Sequence, residues 1–146
     1  MKEACDNMSD NIARYPSKFT KAEVRQEFGA DGNDQRSIWN YGDYYIWFLH
    51  LARQKPSGGW ESTANNGRVN IWYQDKDNAL IIEMLNGYEH KPAGTKQLLV
   101  FASHDENNVY EFKGVFENVE DTTDGVIDNI CKRVSKGFDI DEMKPI

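Results

Sequence analysis

The residues that could carry covalent chemistry in this sequence are few, and their spacing does not suit it. Ser103, His104 and Asp105 have the residue types of a catalytic triad, but neighbours at a strand end point in different directions and cannot form a relay. His50, His90 and His104 show no metal-ligand spacing. No glycine-rich phosphate loop is present. The sequence therefore predicts no nucleophilic enzyme, no metal site and no cofactor.

One enzymatic motif is present. Glu111 and Lys113 form a Glu-x-Lys pair, which many metal-dependent nucleases use on a strand after an upstream carboxylate. The same alternation is typical of the solvent-exposed face of a hairpin. We favour that second interpretation and expect a chain without enzymatic activity.

Aromatic and arginine side chains suggest a site for a planar ligand instead. Aromatic rings stack on bases, and arginine adds cation–π contacts and hydrogen bonds. The candidates are Trp39, Tyr41, Trp60 and Trp72, with Arg36 and Arg68 close to them in sequence. The same rings are also what a hydrophobic core would use, and the sequence leaves both interpretations open.

Charge is unevenly distributed along the chain. The net charge is −7, and residues 105–128 hold eight carboxylates against Lys113 alone. Phosphate binding normally needs a positive surface, so this acidity counts against non-specific affinity for DNA or RNA. It does not exclude a localised basic groove. The acidic segment itself is typical of a solvated rim.

Length and cysteine usage limit the class of protein. The 146 residues, 12% of them aromatic, predict a single domain over 1–146 with a sizeable core. Cys5 and Cys131 are far apart and indicate neither a disulfide framework nor a zinc site. The sequence has no signal-peptide pattern and no apolar run of membrane-spanning length. We therefore expect a soluble, cytoplasmic protein without membrane contact.

The clearest local signal is a short helix near the N-terminus. Thr20 and Glu23 form a capping box, which a Phe19–Val24 staple flanks, and Gly29 can end the helix after Phe28. Residues 1–18 are polar, and we expect them to be a loosely ordered lead or one short helix.

Strand signals dominate the middle of the chain. Residues 44–51 are apolar on both alternating faces and predict a central strand that is covered on both sides. Residues 97–117 predict a β-hairpin, although its second strand alternates imperfectly. A second hairpin is predicted from Trp60 to Tyr73 around an Asn66-Gly67 turn. Residues 79–85 fit a strand or a short helix, and we favour the strand because the run is short.

The last element is predicted to be a helix. Val126, Ile127, Ile130, Cys131 and Val134 recur at helical spacing, and Gly137 can terminate the helix. The tail after it can add an edge strand or lie on the surface. The resulting fold class is α+β: a bent, mostly antiparallel sheet or small open barrel of five or six strands, with a short N-terminal and a C-terminal helix.

Three motifs follow one another along the chain: Trp60-x-Ser62-x-x-Asn65, then Leu98-Leu99-Val100-Phe101, then Tyr110-x-Phe112-x-Gly114-Val115-Phe116. This pattern, over about residues 40 to 118, resembles the PUA-like and SRA-like β-barrel modules attached to prokaryotic restriction nucleases and helicases. In those modules a strand ending in Phe is followed by a Tyr-x-aromatic-x-Gly strand.

The resemblance implies a non-catalytic module that binds nucleic acid and accepts a flipped, sometimes modified, base in an aromatic pocket. By resemblance, the four aromatic residues Trp39, Tyr41, Trp60 and Trp72 would stack on the base. Arg36, Arg68 and Asn70 would read its polar edge.

The acidic segment supports a different hypothesis. The chain would then be an inhibitor or adaptor, for example a phage-type DNA mimic that binds the basic surface of a nucleic-acid-targeting defence complex. Its partner-binding residues would be the carboxylates Asp105, Glu106, Glu117, Glu120, Asp121 and Asp124.

Overall fold

The computed structural model describes residues 11–51, 69–74, 78–84, 96–103, 108–121 and 129–146. These ranges contain one helix and eleven strands. In chain order the elements are β1 (Ile12–Arg14), β2 (Lys18–Thr20), α1 (Lys21–Phe28), β3 (Ile38–Tyr41), β4 (Tyr44–His50), β5 (Val69–Gln74), β6 (Ala79–Met84), β7 (Gln97–Ser103), β8 (Val109–Asp121), β9 (Asn129–Ser135), β10 (Gly137–Asp139) and β11 (Lys144–Pro145).

Most of these strands form one large curled sheet. Its order is β3-β4-β7-β8-β9-β6-β5, with β2 pairing additionally on β8. Only the β4–β7 pair is parallel among the described pairs. A small second sheet has the order β1-β10-β11. The predicted bent, mostly antiparallel sheet is confirmed, with eight strands where five or six were expected.

Strand β4 divides the protein interior into two cores. Because side chains alternate along a strand, Ile46 and Phe48 pack into a first core that also contains α1 and Phe138. Trp47 enters a second core on the other face, together with residues of β5, β7, β8 and β9. The prediction of a central strand that is covered on both faces is confirmed.

Helix α1 forms where the sequence predicted it. The Thr20 side chain accepts from the Glu23 amide, the Glu23 carboxylate accepts from the Thr20 amide, and Gly29 ends the helix in the left-handed conformation. Val24 and Phe28 are its buried residues, so the helix packs against the first core. Among the described residues, no helix has the length and apolarity that a membrane crossing requires.

The β7–β8 hairpin is also confirmed, and its imperfect alternation has a structural cause. The pairing register shifts within β8, so that Lys113 is an extra residue on that strand, a β-bulge. Phe112 and Val115 therefore share the first core although they are three positions apart. Phe116 enters the second core.

The predicted C-terminal helix is wrong where the structure describes it. Residues 129–135 form strand β9, which fills the space between β8 and β6. Cys131 is buried in the second core, whereas Val134 is 43% exposed, so the two residues do not share a helical face. Backbone pairing with β8 on one side and β6 on the other stabilises a strand here more than the helical spacing of five apolar residues stabilises a helix.

The remaining predictions of secondary structure have different outcomes in different parts of the chain. Residues 79–84 are a strand, as favoured. Strands occur at residues 12–14 and 18–20, where a loose lead or short helix was expected. The tail adds edge strands β10 and β11. The first strand and the Asn66-Gly67 turn of the hairpin predicted from Trp60 to Tyr73 lie outside the described residues, and its second strand is β5, which pairs with β6.

We predict that Gly114→Ala destabilises the fold far more than Gly29→Ala. Both glycines have positive φ, +116° and +66° respectively. A Cβ on Gly114 would lie 2.4 Å from the Ser135 carbonyl oxygen, whereas one on Gly29 meets no atom within 4 Å. Urea unfolding should show losses of about 3 kcal/mol or more for Gly114→Ala and about 1 kcal/mol for Gly29→Ala. Equal losses of stability for the two variants would contradict a tightly packed β-bulge at Gly114.

Candidate functional site

Two of the aromatic residues predicted to stack on a ligand lie in the first core. Trp39 is 3% exposed and Tyr41 is 7% exposed. Gly32 packs directly on the Trp39 indole, whose Nε1 donates to the Asn33 carbonyl oxygen at 2.9 Å. The Tyr41 hydroxyl donates to the Phe28 carbonyl oxygen at 2.7 Å. Burial raises the pKa of Tyr41, with Asp141 contributing, so this phenol stays a neutral donor.

The loop before β3 covers Trp39. Arg25 and Asp34 form an ion pair across it, and the hydrogen bond from Arg25 lowers the pKa of Asp34. The Lys21 ammonium donates to the Asp34 carbonyl at 2.8 Å and lies 5.2 Å from the Phe48 ring centroid. Burial lowers the pKa of Lys21, against the opposing effect of Asp34. Arg36, another predicted ligand reader, is exposed in this loop.

The remaining predicted ligand residues are less fully described. Trp60 and Arg68 lie outside the described residues. Asn70 and Trp72 are on β5, with backbone partners Glu83 and Ile81 on β6. The ligand role of these residues stays a prediction.

The acidic residues of the alternative hypothesis fall into two groups. Asp105, Glu106 and Asp124 lie outside the described residues. Glu117 is half-buried on β8, opposite Lys132 of β9, and Glu120 and Asp121 end β8.

The structure brings together a basic surface that the sequence does not show. Three short segments, 14–18, 111–113 and 132–136, converge from three parts of the chain. They hold six cations and one carboxylate in a protein of net charge −7. We call this surface the basic patch, and its charged residues are Arg14, Lys18, Glu111, Lys113, Arg133 and Lys136; Lys132 lies on the opposite face of β9, with Glu117.

Backbone hydrogen bonds hold the three segments against each other. Lys18 lies opposite Glu111 in the β2–β8 register, and cross-strand partners share a face. The Tyr15 amide donates to the Lys136 carbonyl at 2.8 Å, and the Phe112 amide donates to the Ser17 carbonyl at 2.8 Å. Because backbone hydrogen bonds fix which segments lie side by side, the fold itself brings the residues of the basic patch together.

Two tyrosines lie in the middle of the basic patch. The ring centroids of Tyr15 and Tyr73 are 6.3 Å apart, at an interplanar angle of 57°. The Lys113 ammonium lies 5.4 Å and 4.9 Å from the two centroids, and the Arg133 guanidinium lies 4.8 Å and 5.5 Å from them. These distances are typical of cation–π contacts. We call Tyr15, Tyr73, Lys113 and Arg133 the tyrosine–cation cluster.

The cluster's lysine is buried. Lys113 is 6% exposed, and its Nζ is 2.5 Å from Glu111 Oε1. The interpretation of Glu111 and Lys113 as an ordinary solvent-exposed face is therefore wrong, because the bulge turns Lys113 inward. Within the described ranges, no three His, Cys, Asp or Glu side chains are grouped so that they could hold a metal ion.

Arg133 makes directed contacts as well as ring contacts. Its guanidinium donates to the Tyr73 hydroxyl, to the Asn78 side-chain oxygen and, at 3.2 Å, to the Lys113 carbonyl. The absent side chain of Gly114 makes room for its stem, since a Cβ there would lie 2.8 Å from Arg133 Cδ. The arginine is thus held in one geometry.

Sequence patterns do not indicate this cluster, for identifiable reasons. Tyr15 stood in a segment that was expected to be loosely ordered, and Tyr73 was interpreted only as a strand residue. Lys132, Arg133 and Lys136 were expected to lie at the end of a helix. The available signal was the KRVSK run at 132–136 in an otherwise acidic half of the chain.

Comparison with known proteins identifies the class. Residues 10–140 match the SET and RING associated (SRA) domain, and the chain belongs to that family. It is therefore a nucleic-acid-recognition module. The resemblance predicted from the strand pattern is confirmed.

Solved structures with the same fold include a restriction enzyme. The chain is similar to the 5-hydroxymethylcytosine-specific restriction enzyme AbaSI, with a TM-score of 0.61 and 17% sequence identity, over 88% of this chain and 42% of that one. It thus spans less than half the length of that enzyme. A search of the curated proteins found no match. These comparisons do not support the acidic-inhibitor hypothesis.

We predict that Lys113 and Glu111 are energetically coupled. Lys113→Met removes the cation but keeps the stem, and Glu111→Gln removes the negative charge. The pair lies between an exposed and a fully buried ion pair, so a double-mutant cycle in urea should give a coupling energy of about 1–2 kcal/mol. A coupling near zero would mean that the two charges do not stabilise each other.

Proposed function

We propose that this chain is a non-catalytic module that recognises DNA by taking one base out of the helix. The observation that carries the proposal is the concentration of five cations near two tyrosines in an acidic member of the SRA family. The basic patch would contact the phosphates, and the tyrosine–cation cluster would hold the base.

The phosphate role follows from exposure and charge. Arg14, Lys18 and Lys136 are exposed; Arg14 and Lys18 are near Tyr15 in sequence, and the Lys136 carbonyl accepts from the Tyr15 amide. Cations that replace condensed counterions supply most of the sequence-independent affinity for DNA. The rest of the chain is strongly acidic and repels a polyanion. DNA would therefore approach by the basic patch, and the acidic regions would restrict it to that orientation.

The base role follows from the aromatic rings. Removing a base from the stack costs a few kcal/mol, and stacking on an aromatic side chain returns about 1–3 kcal/mol per base. Tyr15 and Tyr73 are half-buried, so each retains partial access to solvent. The specificity of AbaSI for 5-hydroxymethylcytosine makes modified cytosine the first base to test. Trp60, Arg68, Asn70 and Trp72 stay candidates for further base contacts.

The absence of catalysis is part of the proposal. Glu111 and Lys113 neutralise each other, and Lys113 is further engaged by both tyrosine rings. A lysine held in this way suits a structural and electrostatic role better than a role at a metal-bound phosphate.

We predict that Tyr73→Ala weakens DNA binding while Tyr41→Phe does not. Loss of one stacking ring should lower affinity about 10- to 100-fold for a duplex with one modified cytosine. Tyr41→Phe removes a buried hydrogen bond and should cost about 1 kcal/mol of stability without changing affinity. Fluorescence anisotropy with unmodified, methylated and hydroxymethylated duplexes measures both variants. Equal affinities of Tyr73→Ala and the unmodified protein would remove Tyr73 from the site.

We further predict a salt dependence that the patch residues determine. Arg14→Gln, Lys18→Gln and Lys136→Gln should each reduce the slope of log K against log salt by about 0.9, because each removes one phosphate contact. Lys144→Gln, an exposed lysine on β11, is the matched control and should leave the slope unchanged. If no duplex binds at low salt, DNA recognition itself is wrong. Equal slopes for all four variants would place the phosphates elsewhere.

A further inference from the structure

Arg133 occupies the space that a base would need. Its guanidinium lies over both tyrosine rings, 4.8 Å from one centroid and 5.5 Å from the other. A base that stacks on a ring takes a position about 3.5 Å above it. A planar guanidinium and a planar base compete for that position. The ring centroids, 6.3 Å apart and tilted by 57°, leave no parallel gap for both.

We propose that Arg133 is an internal occupant of the base site that leaves when a base enters. The inference rests on the proposed function, because it assigns the free and bound arrangements of the same site. Arg133 would then determine which bases are admitted, since a base must bind better than the guanidinium that it replaces.

The groups around Arg133 indicate what can replace it. The Tyr73 hydroxyl oxygen, the Asn78 side-chain oxygen and the Lys113 carbonyl oxygen all accept from the guanidinium. If an apolar group replaced the guanidinium, the two partly buried acceptors, the Tyr73 hydroxyl and the Lys113 carbonyl, would lose this donor, which is costly. The replacing group is therefore planar and bears N–H donors, as an amino-substituted base does.

The displaced arginine has a destination. Arg133 is half-buried, and Lys136, just beyond the end of β9, is exposed, so the guanidinium can turn outward towards that end of the strand. There it would meet the DNA backbone, and arginine binds phosphate through a bidentate pair of hydrogen bonds. In this exchange the guanidinium would give up its contacts within the protein. A base would then occupy the tyrosine–cation cluster, and Arg133 would bind a phosphate at the rim of the cluster.

Nuclear magnetic resonance of the arginine side chains tests the exchange in the complete chain. The Arg133 δ-methylene signal, identified by its loss in Arg133→Met, should be shifted upfield in the free protein by the two tyrosine rings. A duplex with an unpaired cytosine should move this signal to the position of solvent-exposed arginines. If DNA binds to saturation and the signal stays shifted, the exchange is wrong. If no DNA binds, the proposed function fails instead.

A second measurement uses a ligand without phosphate. Arg133→Met keeps the stem but removes the guanidinium, so deoxycytidine no longer competes with an internal occupant and should bind about tenfold more tightly. Lys144→Met, a charge loss outside the patch, should leave deoxycytidine affinity unchanged. Unchanged or weaker binding to a folded Arg133→Met protein would show that the arginine does not block the site.

Discussion

The β-bulge in β8 is the feature on which the rest of the molecule depends. The extra residue, Lys113, restores the alternation of apolar side chains between the two cores after Phe112. It also turns an ammonium group towards Tyr15 and Tyr73. The following Gly114 has a backbone conformation that L-residues rarely adopt, and the Arg133 stem crosses it. One inserted residue therefore sets both the packing of the hairpin and the position of two cations.

Two cations beside two rings are stable here because each is compensated. The Lys113 ammonium has the Glu111 carboxylate at 2.5 Å, and the Arg133 guanidinium has oxygen acceptors from β5, the β5–β6 turn and β8. Partly buried charges without such partners would cost several kcal/mol. Under the proposed function, a base that enters the cluster has to replace these contacts. A ligand must offer at least equivalent contacts, and this requirement is a physical basis for selectivity.

Local sequence signals predicted the elements that local interactions stabilise. The capping box, the glycine stop and the buried Val24 of α1 all lie within ten residues of one another, so tertiary context had little to override. Strand β4 was predicted equally well, because an apolar run between turn signals is buried whichever strands it pairs with. The C-terminal helix failed because β9 pairs with β6 about fifty residues earlier. The spacing of apolar residues within β9 carries no information about its pairing with the distant strand β6.

The sequence by itself determined the class of this protein: a mostly antiparallel sheet of the PUA-like and SRA-like kind, with an aromatic-rich interior and nucleic acid as its expected ligand. The sheet and the aromatic interior depend on side-chain periodicity and composition, which are local or additive, whereas the family and its ligand were implied by the resemblance of the strand motifs. The tertiary structure decided where a polyanion could bind, since the basic patch joins residues 14–18 to 111–113 and 132–136 by backbone pairing. It also decided that Trp39 and Tyr41 lie in the core and that Tyr15 and Tyr73 lie beside the cations. Long-range strand register sets these positions, and no window of sequence contains that register.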